Sequence, residues 1–236
     1  MDELPLTRRH HQRLRDTLRS SGWPCHDPIE VDLLAAALLE RVFDAEGREQ
    51  LRVTDAGIAV LARAQRSHRT RRDAHEALVA RVAQAQLQQG RLAWCGLSLR
   101  APLVQADGAN HWVLANPDVF SIRRSSRPDW LEPVVHEIKV SRADLLADLR
   151  QEAKRAAYLA MSGALWYVLG RDARGRAIGG ADDVPAECGV MLDTAEGWQV
   201  ARDAPRRAVP ALPHHVWLAL AQAAPVVGDD PVQALL

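Results

Sequence analysis

The sequence predicts an α/β protein: a mixed β-sheet core in the chain order α-β-β-β-α-β, flanked by helices and preceded by a small α+β module. Three observations carry that expectation. Two short segments rich in Val, Ile and Phe, at 116–122 and 133–140, are separated by a Ser/Arg/Pro/Asp cluster, the pattern of a β-hairpin. An apolar stripe at helical spacing (Leu145, Leu149, Ala153, Ala156, Ala160) then leads through Gly163 into the apolar run 164–169, which makes a β-α-β crossover. Ahead of all this, the first sixty-odd residues carry helix and hairpin signals of their own. The expected division is 1–66 and 67–236.

In chain order, residues 7–20 read as a polar helix bearing Arg8, Arg9, Arg13, Arg15 and Arg19, broken by Gly22-Trp23-Pro24. Pro28 opens a second helix with Ile29, Leu33, Leu34, Ala37 and Leu38 on its core face. Arg41-Val42-Phe43, a turn at Asp44-Ala45-Glu46-Gly47 and Gln50–Val53 form a hairpin, after which Thr54 caps a helix beginning at Asp55. A further helical segment, 70–89, turns His75, Leu78, Val79 and Val82 toward the sheet and carries an arginine group together with 63–69: Arg63, Arg66, Arg69, Arg71 and Arg72. A strand over 92–104 opens the sheet. Beyond the crossover, Val190-Met191-Leu192 and Trp198–Val200 make another hairpin about Glu196-Gly197, and a last helix from about His214 points Trp217 and Leu220 inward.

The chemistry concentrates in the central hairpin. A turn near Arg127-Pro128 pairs residues whose numbers total 255 and sets Asp118 opposite Glu137, at the roughly 4.5–5.5 Å separation of cross-strand partners. Glu137 and Lys139 share a face because side chains alternate along a strand. Like charges opposed on a sheet repel and require a cation. Of the thirty basic residues only Lys139 and Lys154 are lysine, and an ammonium is a compact point charge where a guanidinium is a broad fork. Hard carboxylate oxygens suit Mg²⁺ or Mn²⁺ better than zinc. Such an ion polarises a phosphoryl oxygen and acidifies water, which points to phosphodiester hydrolysis. The bland alternative is a surface cross-strand salt bridge.

Composition excludes other classes. Net charge is zero, so nucleic-acid contact must be local; Arg123, Arg124 and Arg127 beside the hairpin are the candidates for a phosphate backbone. Cys25, Cys95 and Cys188 are odd in number and far apart, giving neither a disulfide framework nor zinc spacing. No apolar run approaches a membrane span, so the expectation is a soluble, reduced, cytoplasmic protein without membrane contact.

Pro117-Asp118 followed by Glu137-Ile138-Lys139 resembles the PD-(D/E)xK nuclease superfamily, with its restriction-endonuclease-like core. The longer run from His136 to Leu145, with Pro185 and Gly189-Val190, resembles the MmcB-type DNA-repair proteins within it. The likeness covers roughly residues 70–210. It implies a metal-dependent DNA endonuclease acting in repair, with Asp118 and Glu137 holding the ion and Lys139 assisting the water or the transition state. It also implies an acidic residue on the first core helix, where Glu76 or Asp73 is available and Glu76 is preferred. Lys154 and Tyr158, four residues apart, resemble the superfamily's Gln-xxx-Tyr pair with lysine in place of glutamine. Ser141, the expected N-cap with Asp144 three residues on, and Arg142 join them as DNA-binding or supporting candidates. The N-terminal hairpin and the helix after it resemble a winged-helix domain one helix short. DNA is the expected partner, with a second copy or a repair-complex protein possible. The competing expectation is a non-catalytic DNA-binding or regulatory protein; a purely structural role in a repair complex is the third.

Overall fold

The structure, a computed structural model, describes residues 5–20, 22–104 and 110–228. The chain divides into two compact units, 1–70 and 71–236. The expected division at 66/67 falls four residues earlier, inside a helix.

The first unit runs α1 (Arg8–Ser20), α2 (Pro28–Ala35), β1 (Leu39–Phe43), β2 (Glu49–Val53) and the first half of α3 (Asp55–Gln88). Asp27 caps α2 by accepting from Glu30 N, and Pro28 occupies the first turn, where its missing N–H costs nothing. The hairpin pairs Leu39 with Val53 through Phe43 with Glu49. Thr54 caps α3 by accepting from Gly57 N. Gly57 is required by close approach: a Cβ there would lie 2.3 Å from the carbonyl oxygen of Leu38. Leu14, Leu33, Leu38, Leu39, Leu51 and Val53 form this unit's core.

The second unit is built on a six-stranded mixed sheet. It contains β3 (Arg91–Cys95), β4 (Leu99–Val104), β5 (Asn110–Ala115), β6 (Val119–Arg123), β7 (Val134–Lys139), α4 (Arg142–Leu149), α5 (Glu152–Met161), β8 (Ala164–Leu169), β9 (Gly189–Thr194), β10 (Gly197–Arg202) and α6 (His214–Gln222). The sheet order is β10-β9-β8-β7-β6-β3. β3, β6 and β7 are antiparallel neighbours, whereas β7 with β8 and β8 with β9 are parallel. Leu78, Val82, Ala83 and Leu87 of α3 cover one face, on Ala93, Val119, Ile138 and Val168. The other face packs Phe120, Val135, Leu165 and Tyr167 against Ala157, Tyr158 and Met161 of α5 and Val216 and Leu220 of α6.

Four expectations need correction. The helix begun at Asp55 and the segment 70–89 are one 34-residue helix; the polar stretch between them contains neither Pro nor Gly to end it. The strand expected over 92–104 is two strands in two sheets, because Gly96 turns the chain at φ +65° and β4 pairs only with β5. The single helix expected after Ser141 is two, interrupted at Arg150-Gln151, where both amide N–H groups turn back to the Asp148 carbonyl. Trp217 faces outward; Val216 takes the buried position beside Leu220. Among the described residues no helix is long and apolar enough to cross a membrane.

Candidate active site

The site begins at the strand register. β6 and β7 pair Val119 with His136, Phe120 with Val135 and Ser121 with Val134, so the next step beyond β6 sets Asp118 against Glu137. Asp118 takes an anchored position there: its Oδ2 accepts from the Ile138 amide at 2.7 Å. That bond ties the entry to β6 to the C-terminal end of β7. Alternation along β7 sends Ile138 into the core beneath α3 and turns Glu137 to the side of α4 and α5.

Four charged side chains then close into a ring. Glu137 Oε1 accepts from Lys139 Nζ at 2.5 Å and from Lys154 Nζ at 2.7 Å. Asp148 Oδ1 accepts from Lys154 Nζ at 2.7 Å and lies 3.4 Å from Lys139 Nζ. Its Oδ2 accepts from the Tyr167 hydroxyl at 2.8 Å. The interruption between α4 and α5 is what permits the ring. On one continuous helix, positions 148 and 154 would stand roughly 120° apart around the axis; the break brings both to the same carboxylate. Lys154 Nζ also sits 5.3 Å from the Tyr158 ring centroid, a cation–π contact.

Burial grades outward from this ring. The side chain of Glu137 is 2% exposed, that of Lys139 12% and that of Asp118 20%. His75 of α3 stands beside Asp118, Nε2 to Oδ1, at 3.4 Å. Among the described residues, two polar atoms in the buried part have no hydrogen-bond partner: Glu137 Oε2 and the Tyr158 hydroxyl. The hydroxyl lies in the field of Glu137 without making a well-formed hydrogen bond to it.

Electrostatics follow the geometry. Burial pushes the Glu137 carboxyl above its ordinary range, against the pull of Lys139 and Lys154, and Asp118 adds to the rise. Burial disfavours the Lys139 ammonium, yet Glu137 and Asp148 together outweigh it and hold the lysine protonated. The same lysines outweigh burial at Asp148 and keep it ionised. The Tyr158 and Tyr167 phenols are pushed up by burial and by the neighbouring carboxylates. The hydrogen bond from His75 to Asp118 raises that imidazole. Burial, aided by Asp118, raises the Cys95 thiol, leaving it protonated at neutral pH.

The structure therefore brings Asp118, Glu137, Lys139, Lys154 and Tyr158 together, but not every candidate. Glu76 is exposed and pairs with Arg72 one helical turn away at 3.4 Å; the α3 residue that turns to Asp118 is its neighbour His75. Ser141 caps α4 by accepting from Asp144 N. Arg142 is held by Asp183 through two bonds of 2.6 and 2.8 Å. Arg127 pairs with Asp129 and lies over the Trp130 ring, and Arg123 pairs with Glu132 at 3.5 Å. Arg124 is exposed. Sequence reasoning missed Asp148. Its signal was present: an acid flanked by Leu145 and Leu149 lies on the inward stripe of the helix, where a charge needs a partner.

Among the described residues no cluster of three or more His, Cys, Asp or Glu side chains is arranged to hold a metal. Two carboxylates remain. One oxygen of Glu137 is buried and unpartnered, and Asp118 Oδ1 has only the 3.4 Å contact with His75. This set is a poor cage for zinc. It fits Mg²⁺, which keeps several waters and is commonly bound by one or two carboxylates with substrate phosphate completing its shell. Comparison with protein-family models, curated proteins and solved structures finds no match.

Proposed function

We propose that the second unit is a metal-dependent DNA endonuclease of the PD-(D/E)xK type, hydrolysing phosphodiester bonds in DNA repair. One observation carries the reading: Asp118, Glu137 and Lys139 converge at one end of a mixed sheet while the buried Glu137 keeps an oxygen without a partner. The antiparallel, antiparallel, parallel succession β3-β6-β7-β8, with α3 before it and α4–α5 in its crossover, supports the same core.

In this reading Asp118 and Glu137 hold Mg²⁺ or Mn²⁺, which when bound polarises a phosphoryl oxygen and acidifies water. The chain's own residues do the rest. Lys139, held protonated, faces the charge that develops on the phosphoryl group. Lys154 and Asp148 fix the Lys139 and Glu137 side chains, so little reorganisation is needed when substrate arrives. Tyr158 offers a buried hydroxyl beside Glu137. The first unit, winged-helix-like in its order of two helices, a hairpin and a helix, supplies DNA or partner contact.

The experiment is cleavage of labelled single-stranded, duplex, flap and branched DNA with Mg²⁺ or Mn²⁺, beside an EDTA control and Glu137→Gln. Cleavage is expected to need the metal and to fall by more than about a hundredfold in the variant. Cleavage indifferent to Glu137 would sink the assignment. A second reading, a non-catalytic DNA clamp on the same fold, has one observation in its favour: each lysine is already shared between Glu137 and Asp148. Tight DNA binding without cleavage across the panel would select it.

A further inference from the structure

A groove separate from the charged ring lies at the other end of β6. Trp94 and Leu131 line its inner wall; Trp217 and Leu220 of α6 form the facing wall, and Arg123 and Arg124 stand where β6 ends. The groove encloses about 460 Å³, within the range of small-ligand sites. Trp94 is 6% exposed. Trp217 is 45% exposed and offers a rigid aromatic face at the rim. Among the described residues no carboxylate pairs with Arg124, whereas Arg123 is partly neutralised by Glu132.

We propose that this groove takes an unpaired nucleobase of a single-stranded DNA segment. Trp217 stacks on the base, and Arg124 meets the adjoining phosphate. An aromatic face beside an unneutralised arginine is the combination that single-stranded nucleic acid uses. A base in duplex is stacked and paired, so it reaches such a slot only after leaving the helix. The inference rests on the nuclease reading and narrows its substrate. β6 carries Asp118 just before its first residue and Arg123 as its last, about 16 Å along the strand, a span of a few nucleotides of extended chain. An apolar, acidic peptide is the competing occupant. Against it, an aliphatic side chain does not stack on the flat, exposed Trp217 ring as a base does.

The test is fluorescence anisotropy of the full chain with labelled oligothymidylate and with a duplex of the same length, in EDTA so that no cleavage intervenes. Oligothymidylate is expected to bind at least about tenfold more tightly than duplex. Trp217→Ala and Arg124→Glu are each expected to weaken it roughly tenfold. Trp112→Ala, at an exposed tryptophan on β5, should leave binding unchanged. Equal affinity for duplex, a neutral Trp217→Ala, or displacement of the oligonucleotide by an Asp/Leu-rich peptide would overturn the assignment. Groove-dependent binding without cleavage would keep this inference and overturn the nuclease. Cleavage unaffected by Trp217→Ala, with no preference for single strands, would do the reverse.

Discussion

Two buried polar clusters sit on the same sheet and differ in one respect. At one end, Arg91 of β3 donates Nε–H to Ser121 Oγ at 3.0 Å and Nη2–H to the carbonyls of Ser121 and Glu132 at 3.2 and 2.5 Å. Ser121 Oγ in turn donates to Gln86 Oε1. Among the described residues, no buried side-chain atom of Arg91, Ser121 or Gln86 lacks a partner. Burial lowers the guanidinium to about 10, and it stays charged at neutral pH. At the other end, the Glu137–Lys139–Asp148–Lys154 ring buries its carboxylates and half-buries its lysines, and among the described residues Glu137 Oε2 and the nearby Tyr158 hydroxyl are unmatched. A closed network rigidifies a fold; one with open valences holds groups ready for something absent from the chain.

The comparison predicts opposite consequences for two substitutions. Glu137→Gln keeps the shape and relieves a charge that burial disfavours. It should cost more than about a hundredfold in metal-dependent cleavage while shifting the urea midpoint little. Arg91→Ala should do the converse. It strips partners from two carbonyls and opens a void, for a loss of about 4 kcal/mol, with cleavage per folded molecule retained. If Arg91→Ala folds normally, or Glu137→Gln unfolds the chain, the distinction between the clusters fails.

How much of each cluster could be read in advance differs in the same way. The register of β6 on β7 was legible because alternation and a Pro-containing turn leave few pairings, and Asp118 opposite Glu137 follows from it. Lys154 beside Tyr158 was legible from i, i+4 spacing alone. Asp148 was legible only in part: Leu145 and Leu149 place it on the inward stripe, but the lysines it meets follow from the helix break at Arg150-Gln151. That break is marked by neither Pro nor Gly. The Arg91 cluster was hidden: its acceptors are carbonyls of residues 30 and 41 positions away, and backbone oxygens leave no trace in a sequence. Trp217 was expected inward with Leu220 on the last helix, and its neighbour Val216 fills that place instead.

Asp148→Asn tests whether the ring acts as a unit. The amide can still accept from Tyr167, but both lysines lose one of their two carboxylates. A loss of about 2 kcal/mol is expected, with cleavage reduced roughly tenfold through misplacement of Lys139. Unchanged kinetics would confine Asp148 to a structural role.

A smaller effect tests the neutral side of the sheet. His136 is fully buried beside Arg91, and burial first, with that charge second, lowers it to about 3. It therefore stays neutral in the fold, while the unfolded chain takes up a proton below about 6.5. The stability this represents is complete above about pH 6.5 and is lost as pH falls toward about 3, by up to about 1.4 kcal/mol per pH unit. His75 acts with the opposite sign. Its raised imidazole contributes fully below about 6.5, and the contribution is lost as pH rises through the folded value. Urea midpoints at about pH 7 and about pH 5 should fall for the wild type and change much less for His136→Leu. Equal slopes would place the acid sensitivity elsewhere.

The smallest change concerns Lys154, where the proposed assignment expects the glutamine of a Gln-xxx-Tyr pair. Lys154→Gln writes that pair in. Glutamine can donate to Glu137 from the same helix position, but it brings no charge to offset Glu137 and Asp148. Lys139 then remains as the ring's one cation. If the role of position 154 is to donate a hydrogen bond and orient the carboxylate, Lys154→Gln should cleave within about tenfold of wild type while Lys154→Ala loses more. If its charge is what matters, the two variants should fall together, and Lys154→Arg should recover little, because a planar fork does not fit between two carboxylates already spanned by one ammonium. The three variants compared at one metal concentration decide between a donor and a counter-charge. A counter-charge would mean that the second lysine shares with Lys139 the neutralisation of Glu137 and Asp148.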